Sequence, residues 1–121
     1  MWKVLYVEDD TINALVMRKF LDKHFDVFIA ENAENCMKLL GELPIDLILM
    51  DINLGNASIT GSELLQQIRL DHQYDRIPIF AVTAFAMPND RERYLKLGFD
   101  DYFSKPINRD QIIKRIQETL G

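Results

Sequence analysis

Short apolar runs alternate along the chain with longer stretches in which apolar residues recur every three or four positions. KVLYV at 3–7 and DLILM at 46–50 are short and continuous, as expected of strands. The stretch 13–23 repeats its apolar residues at helical spacing. The full pattern predicts strands at 3–7, 26–30, 46–50, 77–82 and 101–104. It predicts helices at 13–23, 34–41, 61–70, 88–97 and 108–120.

Residues at the predicted helix ends support these bounds. Pro88 is favourable as an opening residue of the fourth helix, and Gly98 is favourable just after its end. Asn108 is a suitable N-cap for the last helix, with Gln111 completing a variant capping box. In the first helix the predicted apolar face consists of Ile12, Leu15, Val16, Phe20 and Leu21.

Strand and helix alternate five times, which predicts an α/β domain with a parallel, doubly wound sheet. A chain of 121 residues has room for one such domain. The run at 46–50 is apolar throughout, so we expect it in the middle of the sheet with both faces covered. Ligands of such sheets bind beyond the carboxyl ends of the strands, where functional residues should therefore be sought.

Charge and cysteine content exclude several classes of protein. Fourteen basic against nineteen acidic residues give a net charge of −5, which disfavours direct nucleic-acid binding. A single cysteine, Cys36, and two histidines offer neither an internal disulfide nor a Cys/His zinc site. The N-terminus lacks the features of a signal peptide, and no apolar stretch approaches the ~20 residues of a membrane span. These features predict a cytoplasmic location and no membrane partner.

Polar residues follow four of the predicted strands, and the fold would bring them to one edge of the sheet. They are Glu8, Asp9 and Asp10 after the first strand, Asp51 after the third, Thr83 after the fourth and Lys105 after the fifth. Clustered carboxylates repel one another unless a cation offsets them, and hard oxygen ligands suit Mg²⁺. A carboxylate beside such a metal can attack a phosphoryl group, whose oxygens Lys105 and Thr83 could then contact. The pattern thus predicts a divalent-metal site with phosphoryl-transfer chemistry.

Four motifs in order resemble those of the response-regulator receiver domain of two-component signalling. They are VLYVEDD at the first strand, LILMD at 47–51, TAFAM at 83–87 and DDYFSKP at 100–106. The resemblance spans essentially residues 1–121. It implies a single flavodoxin-like domain with five parallel strands in the order 2-1-3-4-5 and five helices. Stretches such as SKPI are most similar to receivers of hybrid kinases or to stand-alone phosphorelay receivers.

The resemblance also implies a role for each matching residue. Glu8 and Asp9 match the acidic pair that positions Mg²⁺, Asp51 the phosphoryl acceptor, Asn53 a metal ligand through its backbone carbonyl, Thr83 the switch hydroxyl, Tyr102 the switch aromatic and Lys105 the lysine before the motif proline. Mn²⁺ is an expected substitute for Mg²⁺. The implied partners are a histidine kinase or histidine phosphotransfer protein, and a downstream protein on the face formed by the fourth helix, fifth strand and fifth helix. The implied domain is a switch that catalyses its own phosphorylation and dephosphorylation.

The loop after Asp51 departs from the family pattern. In the family a Met-Pro pair and a glycine eight positions after the acceptor are common. Here the segment reads DINLGNASITG, without the proline and with Gly61 ten positions on. The departure affects the loop and removes none of the proposed ligand side chains.

Two other classes of protein remain as alternatives. A phosphatase similar to the haloacid dehalogenases also uses an aspartate at a strand end, but it needs an acid two residues later, where this chain has Asn53. A receiver-like interaction domain that is never phosphorylated is disfavoured by the complete set of acids, hydroxyl and lysine. Output is expected through protein contact, unless the segment belongs to a longer chain.

Overall fold

Strands and helices alternate from Lys3 to Leu120 in the computed structural model, which describes residues 1–54, 59–84 and 87–121. Within those residues the strands are β1 (Lys3–Val7), β2 (Asp26–Ala30), β3 (Leu47–Asp51), β4 (Ile79–Thr83) and β5 (Asp101–Ser104). The helices are α1 (Thr11–Leu21), α2 (Ala33–Glu42), α3 (Gly61–Arg69), α4 (Asp90–Leu97) and α5 (Arg109–Leu120). A single 3₁₀ turn, His72–Tyr74, lies between α3 and β4.

All neighbouring strands are parallel, in the order β2-β1-β3-β4-β5. This confirms the predicted doubly wound sheet and its strand order. Every residue of β3 is buried, as the apolar run predicted for a central strand. Asp51, the last residue of β3, pairs in register with Val82, so that β3 and β4 end at nearly the same level. The carboxyl edge of the sheet therefore gathers the polar residues that follow the strands.

The sheet separates two hydrophobic clusters because successive strand residues point to opposite faces. One cluster joins alternate residues of β1 and β3 to buried side chains of α2, α3 and α4, among them Leu40, Leu64 and Tyr94. The other joins the remaining strand residues to α1 and α5, among them Met17 and Ile116. No helix among the described residues is long and apolar enough to span a membrane.

The first helix differs from the sequence prediction in its bounds and in its buried face. It begins at Thr11 because the Asp10 side chain accepts a hydrogen bond from the backbone N–H of Asn13. The row that packs on the sheet is Ala14, Met17 and Leu21. The predicted apolar face was wrong for three members, since Ile12 is 72% exposed, Leu15 54% and Val16 44%.

The start of α4 is also later than predicted. Pro88 does not open the helix, because Asn89 takes a left-handed backbone conformation (φ 69°) and the helix begins at Asp90. Gly98 closes it as expected, with φ 116°. The predicted N-cap of α5 is confirmed, since the Asn108 side chain accepts from the backbone N–H of Gln111.

Candidate functional site

Two buried carboxylates meet at the carboxyl edge of the sheet. Glu8 follows β1 and is 1% exposed, and Asp51 ends β3 and is 4% exposed. Asp9 lies beside them and is exposed. One carboxylate oxygen from each of these three residues lies within 4.8 Å of the others. The structure thus brings together the three acids that the sequence predicted as a metal site.

Lys105 supplies the positive charge facing these acids. Its Nζ lies 2.8 Å from Glu8 Oε1 and 3.3 Å from Asp51 Oδ2. The backbone N–H of Lys105 donates to the carbonyl of Thr83, 2.8 Å away, which fixes the segment after β5 against the end of β4. The peptide bond between Lys105 and Pro106 is cis. The lysine therefore reaches the acidic pair from the far side of β4.

Burial and mutual repulsion determine the protonation of the acidic pair. Burial and the neighbouring Glu8 carboxylate raise the pKa of Asp51 to about 7, against the pull of Lys105 and of the Asn53 N–H. Burial alone would raise the pKa of Glu8, but hydrogen bonds from Asp51, Lys105 and Tyr6 outweigh it and lower that pKa. In Lys105, burial is likewise outweighed by the two acids, which raise the pKa of its ammonium group. In the metal-free site Glu8 is the more strongly ionised acid of the pair, and Asp51 titrates near neutral pH.

Tyr6 is a site residue that the sequence analysis missed. Its hydroxyl donates to Glu8 Oε1 at 2.8 Å, so this oxygen accepts from both Tyr6 and Lys105. Burial, followed by the charge of Glu8, raises the pKa of Tyr6, and the phenol stays a donor. The signal was present in the sequence, because residues two apart on a strand point to the same face. A tyrosine two positions before a buried acid could have been predicted to orient it.

Asn53 and Thr83 lie next to the acidic pair. The backbone N–H of Asn53 donates to Asp51 Oδ1 at 3.0 Å, which orients the carboxylate. Thr83 is 1% exposed at the end of β4, one residue beyond the register partner of Asp51. Residues 55–58 of the longer loop, and residues 85–86 of the motif at 83–87, lie outside the described residues.

Tyr102, the predicted switch aromatic, does not take part in the acidic cluster. It lies within β5, and its ring stacks on Tyr94 of α4 with centroids 5.5 Å apart. The side chain is half-buried and its hydroxyl oxygen is buried. The hydroxyl of Tyr102 therefore does not face solvent.

The chemistry of the acidic cluster suits a divalent cation. Two buried carboxylates and a nearby exposed one face a single ammonium group, so full ionisation leaves an excess of negative charge that burial makes costly. All of the donors are carboxylate oxygens, which Mg²⁺ prefers. The residues present fit this metal.

Together, the parallel sheet and the buried acids and lysine at its carboxyl edge define a doubly wound domain with a small, polar ligand site. The model of the response regulator receiver domain matches residues 4–117. The polar-differentiation response regulator DivK of Brucella anthropi is 35% identical over 119 residues, covering 98% of this chain and 95% of that protein. The chain therefore belongs to the response-regulator receiver domain family.

Solved structures agree with this assignment. The chemotaxis response regulator CheY4 of Vibrio cholerae superposes with a TM-score of 0.87 at 26% identity, covering 99% of each chain. A CheY-like receiver domain protein from Methanospirillum hungatei gives a TM-score of 0.82 at 27% identity, covering 99% of this chain and 94% of that one. Receiver domains are signalling switches that bind Mg²⁺ through an acidic pocket and interact with histidine kinases or phosphotransfer proteins.

Proposed function

We propose that this receiver domain accepts a phosphoryl group on Asp51 from a protein phosphohistidine, in a reaction that requires Mg²⁺. The observation that carries the proposal is the position of Lys105 Nζ, which contacts both Glu8 and Asp51 at the edge of the sheet. An acceptor carboxylate is thereby placed beside a cation that can bind a phosphoryl oxygen.

The two oxygens of Asp51 have different partners. Oδ1 accepts from the Asn53 N–H, whereas Oδ2 lies near Lys105 Nζ. In the proposed step, an Asp51 oxygen forms a bond to phosphorus as the bond from phosphorus to the donor imidazole nitrogen breaks, and the imidazole keeps the electron pair. Lys105 and the Thr83 hydroxyl are proposed to bind the transferred phosphoryl oxygens. Hydrolysis of the acyl phosphate by water would reset the switch, so the domain acts on itself rather than turning over a substrate.

Glu8, Asp9, Asp51 and the backbone carbonyl of Asn53 are the proposed metal ligands. When bound, Mg²⁺, or Mn²⁺ in its place, neutralises negative charge on the transferring phosphoryl oxygens. Tyr6 and Lys105 both donate to Glu8 Oε1 and hold this carboxylate at the pocket.

An exposed apolar stripe on α1 favours a protein as phosphoryl donor. Ile12, Leu15 and Val16 lie at i, i+3 and i+4, so they share one side of the helix whose N-cap, Asp10, adjoins the acidic cluster. Contiguous exposed apolar residues are typical of interaction surfaces. We propose that the donor docks on this stripe, and that output passes through the face formed by α4, β5 and α5.

The proposal is tested by incubating the protein with acetyl phosphate or phosphoramidate and Mg²⁺, and by following phosphorylation by intact mass and peptide mapping. We expect one phosphoryl group on Asp51, lost on treatment with hydroxylamine and absent when EDTA replaces Mg²⁺. Asp51→Asn should not be labelled, whereas the exposed control Asp75→Asn should behave as wild type. Undiminished labelling of Asp51→Asn would show that another residue is the acceptor. No labelling of the wild type would favour an interaction domain that is never phosphorylated.

A further inference from the structure

The hydroxyl of Tyr102 is the one buried side-chain polar atom among the described residues that has no hydrogen-bond partner. Buried polar groups are nearly always paired, so an unpaired one calls for a physical explanation. Burial and the nearby carboxylate of Asp90 raise the pKa of Tyr102, and the hydroxyl therefore keeps its proton. The ring is held in a position that leaves its polar end unsatisfied.

Tyr94 of α4 forms the surface against which the Tyr102 ring is held. The two rings are nearly parallel, with an interplanar angle of 14° and centroids 5.5 Å apart. Tyr94 is itself 5% exposed and meets Phe99 edge-on at 5.9 Å. The Arg93 guanidinium lies 4.9 Å from the Tyr94 centroid and donates to the Tyr94 hydroxyl at 2.9 Å. Tyr94 thus has fixed partners, whereas the hydroxyl of Tyr102 has none among the residues that the structure describes.

The contacts of Tyr94 continue to the segment that precedes α4. The same guanidinium nitrogen of Arg93 lies 3.4 Å from Asp90 Oδ1. Asp90 is buried, and its Oδ2 accepts from the backbone N–H of Met87 at 2.7 Å. A displacement of the Tyr94 ring would therefore reach both α4 and the end of the connection between β4 and α4.

We propose that Tyr94 is the residue through which a rotation of Tyr102 is transmitted to α4. The inference rests on the proposed function, in that phosphorylation of Asp51 is the event that moves Tyr102. In the stacked position the ring gains contact with Tyr94 but the hydroxyl lacks a partner, so a rotation that pairs the hydroxyl has a favourable contribution. The same rotation removes the stacking partner of Tyr94, and α4 must repack. Tyr94 acts as a positioning residue and takes no part in the transfer of the phosphoryl group.

The test compares amide chemical shifts of wild type, Tyr94→Leu and the matched control Tyr94→Phe, with and without beryllofluoride and Mg²⁺. Phenylalanine keeps the stacked ring, whereas leucine keeps an apolar side chain and removes the ring. In wild type and Tyr94→Phe we expect shifts both at the pocket, over Asp51–Asn53, and across Asp90–Leu97. In Tyr94→Leu the pocket shifts should remain and the shifts across α4 should be lost. Shifts of wild-type size across α4 in Tyr94→Leu would overturn the proposal.

A second measurement uses the wild-type protein alone, so that the result does not depend on the folding of a variant. Nuclear Overhauser contacts between the rings of Tyr94 and Tyr102 should be present without beryllofluoride and lost with it. Contacts that persist while the pocket amides shift would refute the role of Tyr94. If the wild-type pocket amides do not respond to beryllofluoride, the proposed phosphoryl-acceptor function fails first, and the role of Tyr94 in it falls with that function.

Discussion

Replacing Asp51 with asparagine should stabilise the metal-free fold. Asp51 is buried next to the ionised Glu8, and these two effects raise its pKa to about 7 from a usual value of 3.8. An asparagine at this position keeps an acceptor for the Asn53 N–H and gains N–H donors that can bond to Glu8. The contact between Lys105 and Glu8 does not involve Asp51 and would remain. The substitution gives up the contact between Lys105 Nζ and Asp51 Oδ2 at 3.3 Å, an effect that the raised pKa already includes, and removes a repulsive buried charge.

The size and sign of the effect follow from the pKa difference between the folded and unfolded states. Below pH 3.8 Asp51 is protonated in both states, and the raised pKa costs the fold nothing. As the pH rises from 3.8 to about 7, the unfolded state loses its proton more readily than the folded state, and the free energy of unfolding falls. At about 1.4 kcal/mol per pKa unit, the free energy of unfolding would fall by about 4 kcal/mol over this range. Because Asp51 and Glu8 titrate as an interacting pair, we expect about 2 kcal/mol of this to belong to Asp51. The asparagine variant does not carry this loss. The gap between the two proteins should open between about pH 4 and pH 7 and stay constant above that range.

The assay is urea unfolding in EDTA at a series of pH values, for wild type, Asp51→Asn and a control, Asp9→Asn, which removes an exposed carboxylate of the same cluster. We expect Asp51→Asn to be the more stable protein at pH 8 by about 2 kcal/mol and to approach wild type near pH 4. Added Mg²⁺ should narrow the gap, because it binds the wild-type carboxylates better. A difference in free energy of unfolding that does not change with pH, or an Asp51→Asn protein less stable than wild type at pH 8, would show that Asp51 and Glu8 do not repel one another.

Three further predictions concern other parts of the fold. Tyr102→Phe should raise the free energy of unfolding by about 1 kcal/mol in urea unfolding, because it removes an unpaired buried hydroxyl, and a loss of stability would mean that this hydroxyl has a partner. Leu15→Asp should slow phosphoryl transfer from a phosphohistidine protein without slowing labelling by acetyl phosphate. The control Leu70→Asp, at a residue that is 81% exposed at the end of α3, should affect neither rate. Equal effects of Leu15→Asp in both assays would contradict docking on α1. Gly61→Ala should lower the free energy of unfolding by about 2 kcal/mol, since its Cβ would lie 2.6 Å from the Asp51 carbonyl oxygen. The control Gly41→Ala, with open space around it, should raise the free energy of unfolding by about 0.5 kcal/mol in the same assay. An unchanged stability of Gly61→Ala would mean that the loop can move away from the added Cβ.

The alternation of strands and helices predicted the parallel, doubly wound sheet, and the polar residues directly after the strands predicted the acidic pocket. The strand order was implied by the family resemblance. In a parallel sheet the carboxyl ends of the strands lie at one edge, so an acid or a lysine placed directly after a strand is brought to that edge. Glu8, Asp51 and Lys105 are separated by up to 97 residues and still come into contact. The roles of the individual site residues, the cytoplasmic location and the absence of nucleic-acid binding stay predictions. These roles are metal binding by Glu8, Asp9, Asp51 and Asn53, phosphoryl acceptance by Asp51, and the parts assigned to Thr83, Tyr102 and Lys105.

The sequence pattern was least informative where tertiary packing chooses between equivalent rows of residues. In α1 two apolar rows were available. The row of Ala14, Met17 and Leu21 packs on the sheet, while Leu15 is exposed. The start of α4 depends on the left-handed conformation of Asn89, which the preceding proline does not specify. The stacking of Tyr94 on Tyr102 joins α4 to β5 and depends on the orientation of both side chains. The hydrophobic periodicity of helices and strands in the sequence does not specify that orientation.

The energies at Tyr102 bear on how the proposed phosphorylation of Asp51 would move α4. Stacking on Tyr94 contributes about 0.5–1.5 kcal/mol beyond the area that it buries, and an unpaired buried hydroxyl costs about 1–3 kcal/mol. The two contributions are similar in size and opposite in sign, so neither fixes the ring strongly, and the remaining packing decides its position. A modification only biases conformations that already exist, and a shift from 1:99 to 99:1 needs about 5.5 kcal/mol. One charge-assisted hydrogen bond supplies about 1.5–3 kcal/mol, which is too little alone. For the proposed phosphorylation of Asp51 to reach α4, Lys105 and Thr83 would have to act together on the phosphoryl group, and a ring whose own preference is nearly balanced would transmit their combined effect.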